Sequence, residues 1–137
     1  MEINRPEVLQ EVEAAFARYE AALVGNDVAT LEELFWASPH TIRYGVGENL
    51  YGIAEISAFR QARSPAGLAR TLERTVITTY GLGFATASTL FRRAAMPPGR
   101  IGRQMQSWVR FPEGWRVVAA SVSLIDLAEP APAKNTE

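Results

Sequence analysis

The run "TIRYG" at residues 41–45 sets Arg43 between Ile42 and Tyr44, in a stretch that reads as a short strand. Most other charges of the chain fall where water can reach them. A guanidinium taken out of water costs several kcal/mol unless it is paired. Arg43 therefore turns outward on a curved strand, or pairs with a carboxylate of the chain such as Glu48, or holds the carboxylate of a ligand. Its fork of parallel donors matches two carboxylate oxygens. The second candidate is Tyr19 in "ARYEAAL", which lies on an apolar helical stripe, so its ring is buried in any reading. Its hydroxyl either finds a partner in the core or faces a ligand, where a phenol donates a hydrogen bond to a carbonyl oxygen or a leaving nitrogen.

Elimination narrows the chemistry further. The chain has no Cys and a single His, His40, so thiolate nucleophiles, disulfides and multi-His metal sites are excluded. The sole Lys, Lys134, sits in a Pro/Ala-rich tail, a poor place for a Schiff base. Asp occurs only at positions 27 and 126. Catalysis would have to use Arg, Tyr, Glu, Ser, Thr or His40, with no metal and no cofactor. The Arg- and Ala-heavy composition is also what a GC-rich genome produces.

Supporting residues are weaker signals. Strand alternation places Gln104, Gln106, Trp108 and Arg110 on one face and Met105 and Ser107 on the other. Gln106 and Trp108 are candidate substrate-binding residues, with core or dimer packing of Trp108 as the alternative. Tyr44, Asn49 and Tyr51 flank "GVGENLYG" and are candidates for a pocket rim. That loop has no phosphate-binding pattern. Arg70 and Arg74 read as a solvated face, and His40 as a surface residue.

These residues need elements to hold them. Asn4 with Glu7 reads as an N-cap and its box partner, and Leu9, Val12, Phe16, Tyr19 and Leu23 form the buried stripe of a long helix. Gly25 ends that helix, and Asn26 or Asp27 caps a second, with Val28, Leu31, Leu34 and Phe35 inward and Trp36 closing it. A third follows the Gly-rich loop, about residues 53–63, burying Ile56 and Phe59. Four strand-like runs come next, separated by "GLG", "AMPPGRIG" and "PEG". Helices followed by a meander give an α+β fold, with three helices packed on one face of a strongly curved antiparallel sheet. Such a cone leaves a pocket at its open end. Residues 1–127 form one domain, and 128–137 are expected to be a disordered tail.

A net charge of −1 with no basic stripe argues against nucleic acid, and no apolar run is long enough to span a membrane. A cytoplasmic protein is the default.

The segments "INRPEV", "RYEAALVGNDVATLEELFW", "ENLYG", "RTVITTYG" and "GWRVVAASVSL" resemble the AtzH-like branch of the NTF2-like (cystatin-type cone) superfamily, over residues 3–124. The resemblance implies a pocket whose functional pair is Arg43 and Tyr19. The implied substrate is a small carboxylated urea of the 1,3-dicarboxyurea type, in cyanuric acid or ureide nitrogen catabolism, cleaved with loss of carbon dioxide and ammonia. At one position the chain departs from the pattern. Ser121 stands where related chains often carry His, which would serve as a general acid or base if it faced the pocket. The resemblance and the apolar outer face of the sheet together imply a homodimer.

Three functions compete. The first is a cofactor-independent, decarboxylating amidohydrolase in which Arg43 anchors a carboxylate, Tyr19 polarises the scissile group and water attacks. The second is a non-catalytic anion-binding or accessory protein of oxalurate and ureide catabolism that uses the same pocket. The third is an isomerase or dehydratase, which would need a pocket Asp or a His–Asp pair.

Overall fold

The computed structural model describes residues 1–127. Three helices and six strands follow one another as α1 (Pro6–Val24), α2 (Val28–Leu34), β1 (Ile42–Tyr44), β2 (Asn49–Tyr51), α3 (Gly52–Ala62), β3 (Thr71–Tyr80), β4 (Phe84–Arg92), β5 (Arg100–Phe111) and β6 (Gly114–Asp126). The expected tail, 128–137, lies outside the described residues.

The strands form one curved sheet in the order β2-β1-β6-β5-β4-β3. The long strands pair as the antiparallel meander that the turn signals predict. The sheet is nevertheless mixed, because β1 runs parallel to β6, with Arg43 opposite Ala120. Part of the Gly-rich loop is itself a strand, β2, paired antiparallel to β1. Three-residue strands lie below the length at which alternation signals pairing.

Helix α1 lies in the concave face of the sheet. Its buried stripe is Val8, Val12, Phe16, Tyr19, Ala22 and Leu23, so Val8 rather than Leu9 begins it. These residues share a core with Leu31, Leu34, Phe35 and Ile56 from the other helices and with Ala85, Ala87, Trp108, Trp115 and Val117 from the sheet. Full burial of one such large apolar side chain contributes about 1.5–3 kcal/mol. The core therefore fixes where Tyr19 sits.

The helix ends depart from expectation in one place. Asn4 is not the cap of α1; Arg5 is, with no side-chain capping bond. Asn4 instead has φ 57° and clasps the edge strand, its Oδ1 accepting from the Thr79 N–H while its own N–H donates to the Thr79 carbonyl. Asp27 caps α2 by accepting from the Thr30 N–H, as its type predicts. Helix α2 stops at Leu34, and Phe35 and Trp36 are already extended alongside β6, where Trp36 N–H donates to the Val117 carbonyl. Gly52 joins β2 to α3 with φ +85°, and a side chain there would press on the Pro39 backbone at 3.4 Å. No helix among the described residues is long and apolar enough to cross a membrane.

Candidate functional site

Arg43 points into the cone. It is 8% exposed, and its partners across the sheet carry the row inward: Arg43 opposite Ala120, Ala120 opposite Gln106, Gln106 opposite Ala87. Cross-strand partners share a face. Two alanines thus flank Gln106 on the neighbouring strands.

The charge of Arg43 is answered within the chain, as one sequence reading allowed. Its Nη1 donates to Glu48 Oε2 at 2.9 Å, and Glu48 Oε1 accepts from the Gly47 N–H. The tight "GVGE" turn makes this pair possible. A Cβ on Gly45 would fall 1.7 Å from Glu48 Oε2. Glu48 engages one prong of the fork, Nη1.

Around Arg43 gathers a group of arginines that the sequence reading did not identify. Arg60, on the last turn of α3, is 2% exposed and stacks on Phe35 at 4.0 Å. Arg63 and Arg43 both lie over the Phe59 ring, at 5.9 and 5.4 Å. Arg70 and Arg93 lie over the Phe91 ring, at 4.7 and 4.9 Å. Phe91 can lie flat against the sheet because its cross-strand partner is Gly102, where a Cβ would meet the ring at 2.2 Å. Burial lowers the Arg60 guanidinium to about 10, with Arg43 and Arg63 pushing the same way and Glu32 opposing them. Burial also lowers Arg63 and Arg93, and each is pushed further by neighbouring guanidiniums, first Arg43 for the one and Arg70 for the other.

Arg70 corrects an expectation. Its spacing with Arg74 predicts a solvated face, yet its side chain is 1% exposed and its fork closes on Glu20 with bonds of 2.7 and 2.6 Å. It precedes β3, so strand alternation does not govern it. Arg74 is exposed, as expected, at an irregularity in the β3–β4 pairing.

Two glutamines complete the interior. Trp108 is fully buried and belongs to the core; its Nε1–H donates to Gln106 Oε1 at 3.1 Å. Arg70 donates to Gln104 Oε1 at 3.0 Å. Each amide therefore has its acceptor end occupied, which turns its NH2 end outward as a donor. Neither Gln104 Nε2 nor Gln106 Nε2 finds an acceptor in the protein, and the same holds for Arg60 Nη2, Arg63 Nε and Nη2, and Arg93 Nε. Buried polar groups are ordinarily satisfied. Glu32 Oε1, whose charge acts on Arg60, is an unmet acceptor beside these donors; the donors outnumber it, most of them are charged, and they are arranged to take an acceptor-rich anion.

Tyr19 faces this cluster. It is 4% exposed and packs on Phe35 at 6.1 Å, the ring on which Arg60 also stacks. Tyr19 and Arg60 thus meet on the Phe35 ring, while Arg43 lies one strand, β6, away from Gln106, which Trp108 backs.

Tyr44, Asn49 and Tyr51 do not join them. In register, Tyr44 pairs with Asn49 and Ile42 with Tyr51, on the face opposite Arg43 and Leu50. All three are exposed, with Tyr44 and Tyr51 hydroxyls 3.0 Å apart. A one-residue step along a strand reverses the face, and these three fall on the outer one. Ser121 shares that outer face, opposite Tyr44 and Met105, so a His at this position would not enter the cone. An open groove of about 480 Å³ on this side is lined by Ser88, Arg103, Met105, Ser121 and Ser123 among others, and a second concavity lies on the other side, between α1 and the start of β3, lined by Phe16, Glu20, Arg70 and Leu72 among others.

The remaining candidates lie elsewhere. His40 is exposed against Trp36. Asp27 caps α2, and Asp126 pairs with Arg100 at the end of β6. Among the described residues no group of three or more His, Cys, Asp or Glu is placed to hold a metal ion.

The AtzH-like family model matches residues 1–128. A solved protein of unknown function of the DUF3225 family, from Pectobacterium atrosepticum, is 62% identical with a TM-score of 0.88, over 90% of this chain and 95% of that one. A cystatin-like fold protein from Burkholderia xenovorans is 47% identical with a TM-score of 0.87, over 95% and 99%. A protein from Streptomyces avermitilis proposed to be a dehydratase of the NTF2-like family shares the fold at 16% identity, with a TM-score of 0.72 over 87% and 97%. No functionally curated protein matches the chain.

Proposed function

The chain belongs to the AtzH-like family, and from that membership and the lining of its cone we propose that it is a small amidohydrolase that cleaves a carboxylated urea with loss of carbon dioxide. Arg43 binds a substrate carboxylate through the donors that Glu48 leaves unused. The amides of Gln106 and Gln104 donate to the urea carbonyl oxygen, where negative charge grows as water adds. Tyr19 donates to the leaving nitrogen. The proton that the attacking water releases replaces the one Tyr19 gives to the leaving nitrogen, so Tyr19 ends the step as a phenol. An N-carboxylate whose nitrogen gains a proton then loses carbon dioxide without further assistance.

The observation that carries this reading is the polarity of the interior. Trp108 and Arg70 hold the acceptor ends of both glutamines, so that Gln106 and Gln104 present donors in an arginine-lined site. A ligand rich in carbonyl and carboxylate oxygens fits that polarity. The test is ammonia and carbon dioxide release from a carboxylated urea by the purified chain alone; no release above the uncatalysed rate would contradict it.

One observation favours the second reading, binding without turnover. Glu48 already pairs with Arg43, and no acidic side chain other than paired Glu20, Glu32 and Glu48 is among the groups described around the arginines. Anion binding measured in the same preparation, with no product formed, would select that reading.

For the outer face we propose contact between two copies of the chain. Tyr44 on β1, Tyr51 on β2 and Met105, one strand further across β6 on β5, are 41%, 53% and 54% exposed on this one face. Light scattering of the chain in solution tests this, with a monomer mass as the contrary result.

A further inference from the structure

Three helices meet on one ring. Phe35, just past the end of α2, carries Tyr19 of α1 at 6.1 Å between ring centres. It also carries the guanidinium of Arg60, from the last turn of α3, at 4.0 Å. The helical repeat places both side chains: Phe16, Tyr19 and Leu23 share the buried stripe of α1, and Ile56 and Arg60 that of α3.

Arg60 is buried with its charge unanswered. Arg43 has Glu48 and Arg70 has Glu20 at ion-pair distance, but among the described residues Arg60 has no carboxylate there. Glu32, the nearest in effect, has one oxygen taken by the Ser57 hydroxyl at 2.6 Å. Arg60 Nη1 makes a long bond of 3.4 Å to the Leu31 carbonyl, and Nη2 has no acceptor. The face of Phe35 offsets part of the cost of burying this cation, not all of it. Arg63, also without a carboxylate, lies over Phe59 instead.

The proposed reaction makes an anion against the same ring. When the leaving nitrogen takes the Tyr19 proton, the O–H bond breaks, an N–H bond forms and the phenol oxygen keeps the electron pair. Until the proton of the attacking water reaches that oxygen, Tyr19 is a phenolate in a buried site. A buried anion without a partner is as unfavourable as a buried cation. Each charge supplies what the other lacks. After burial itself, the charge that Tyr19 carries when ionised is the strongest influence on the Arg60 guanidinium, ahead of Arg43, Arg63 and Glu32.

We infer that Arg60 is a positioning residue of the reaction, which stabilises the transient phenolate of Tyr19 beside the Phe35 ring. Its charge is the feature required, since the partner is a single oxygen and not a carboxylate fork. The partner exists only while the proton is away from Tyr19, so Arg60 accelerates the chemical step more than it tightens binding. The inference rests on the hydrolase reading and adds to it the group through which Tyr19 acts.

The test is a double-mutant cycle on product release from a carboxylated urea by the full chain, with KM read alongside kcat. Its corners are wild type, Tyr19→Phe, Arg60→Met and the double variant. Arg60→Met should lower kcat at least tenfold, roughly the effect of one opposite charge beside an ionising group, and change KM by a smaller factor. In the Tyr19→Phe background the same substitution should change kcat by less than about twofold, because no phenolate forms there. Arg60→Lys should regain most of the lost kcat, since it keeps the charge. A role in packing on Phe35 alone would leave the Lys and Met variants equally slow and would overturn the inference. If Arg60→Met fails to fold, Arg60→Gln takes its place in the cycle. Effects of Tyr19→Phe and Arg60→Met that simply multiply would overturn the inference and leave the hydrolase reading intact. So would coupling of Tyr19→Phe to Arg63→Met in place of Arg60→Met. A wild-type chain that releases no product overturns both readings together.

Discussion

Glu48 Oε2 accepts from Arg43 Nη1 at 2.9 Å, inside a turn whose first residue, Gly45, has no side chain to keep the two apart. The pair is partly buried, with Arg43 and Glu48 side chains 10% and 24% exposed. It both steadies Arg43 and competes with any anion for it.

That competition makes Glu48→Gln informative. Hydrogen bonds to charged groups contribute about 1.5–3 kcal/mol, so the variant should melt earlier by that order. It should also bind an anion more tightly, because the site gains one unanswered positive charge. Thermal melts and anion titration of the same preparation check both signs. A variant less stable and also weaker in anion binding would mean that Glu48 positions Arg43 rather than competing for it.

Tyr19→Phe removes the phenol and keeps the ring that packs on Phe35. The fold and anion affinity should be retained, while turnover falls by roughly 10²-fold, the lower range for a positioned proton donor. Steady-state kinetics on a carboxylated urea decide the point, and unchanged kcat would remove Tyr19 from the chemistry.

Arg60 carries a charge that the fold disfavours. Its folded-state pKa, about 10, lies well below that of an ordinary guanidinium. For a base with a lowered pKa, the unfolded chain binds the proton more tightly, so stability rises with pH only from about 10 up to the ordinary guanidinium pKa. Below that window the penalty is constant. Arg60→Met should therefore leave ligand-free stability unchanged or raised, by an amount independent of pH from about 6 to 9. Stabilisation by added anion should shrink in the same variant. A marked fall in ligand-free melting temperature would show that the stacking on Phe35 outweighs the cost of burying the charge.

Much of the fold is legible in the sequence because it rests on periodicity. The stripe through Phe16 and Tyr19 and the alternation of Gln104, Gln106 and Trp108 follow directly from the helical and strand repeats. Arg43 stands out because a charge in a short apolar strand demands a partner. The parallel pairing of β1 with β6 is not legible, since three residues carry too little pattern. Tyr44, Asn49 and Tyr51 look like neighbours of Arg43 in sequence, but the pleat sends them to the other face.

The arginine cluster shows a different kind of limit. Ile56, Arg60 and Arg63 recur at helical spacing on α3, so a reading that tracked charge along the apolar stripe would have found two of its members. Arg70 could not be found that way. Its partners Glu20 and Gln104 are 50 and 34 residues distant. Arg93 depends on where β4 ends and on Phe91 lying flat over Gly102, neither of which a single sequence specifies.

Arg43→Lys tests the central claim most directly. The substitution keeps a positive charge for Glu48 and removes the fork needed for a substrate carboxylate. Losing one partner of a buried charged contact costs roughly 2–5 kcal/mol, so kcat/KM on a carboxylated urea should fall at least tenfold while the melting temperature changes little. Retained kcat/KM in the Lys variant, or a large loss of stability with anion binding intact, would contradict the account and leave Arg43 as the structural partner of Glu48.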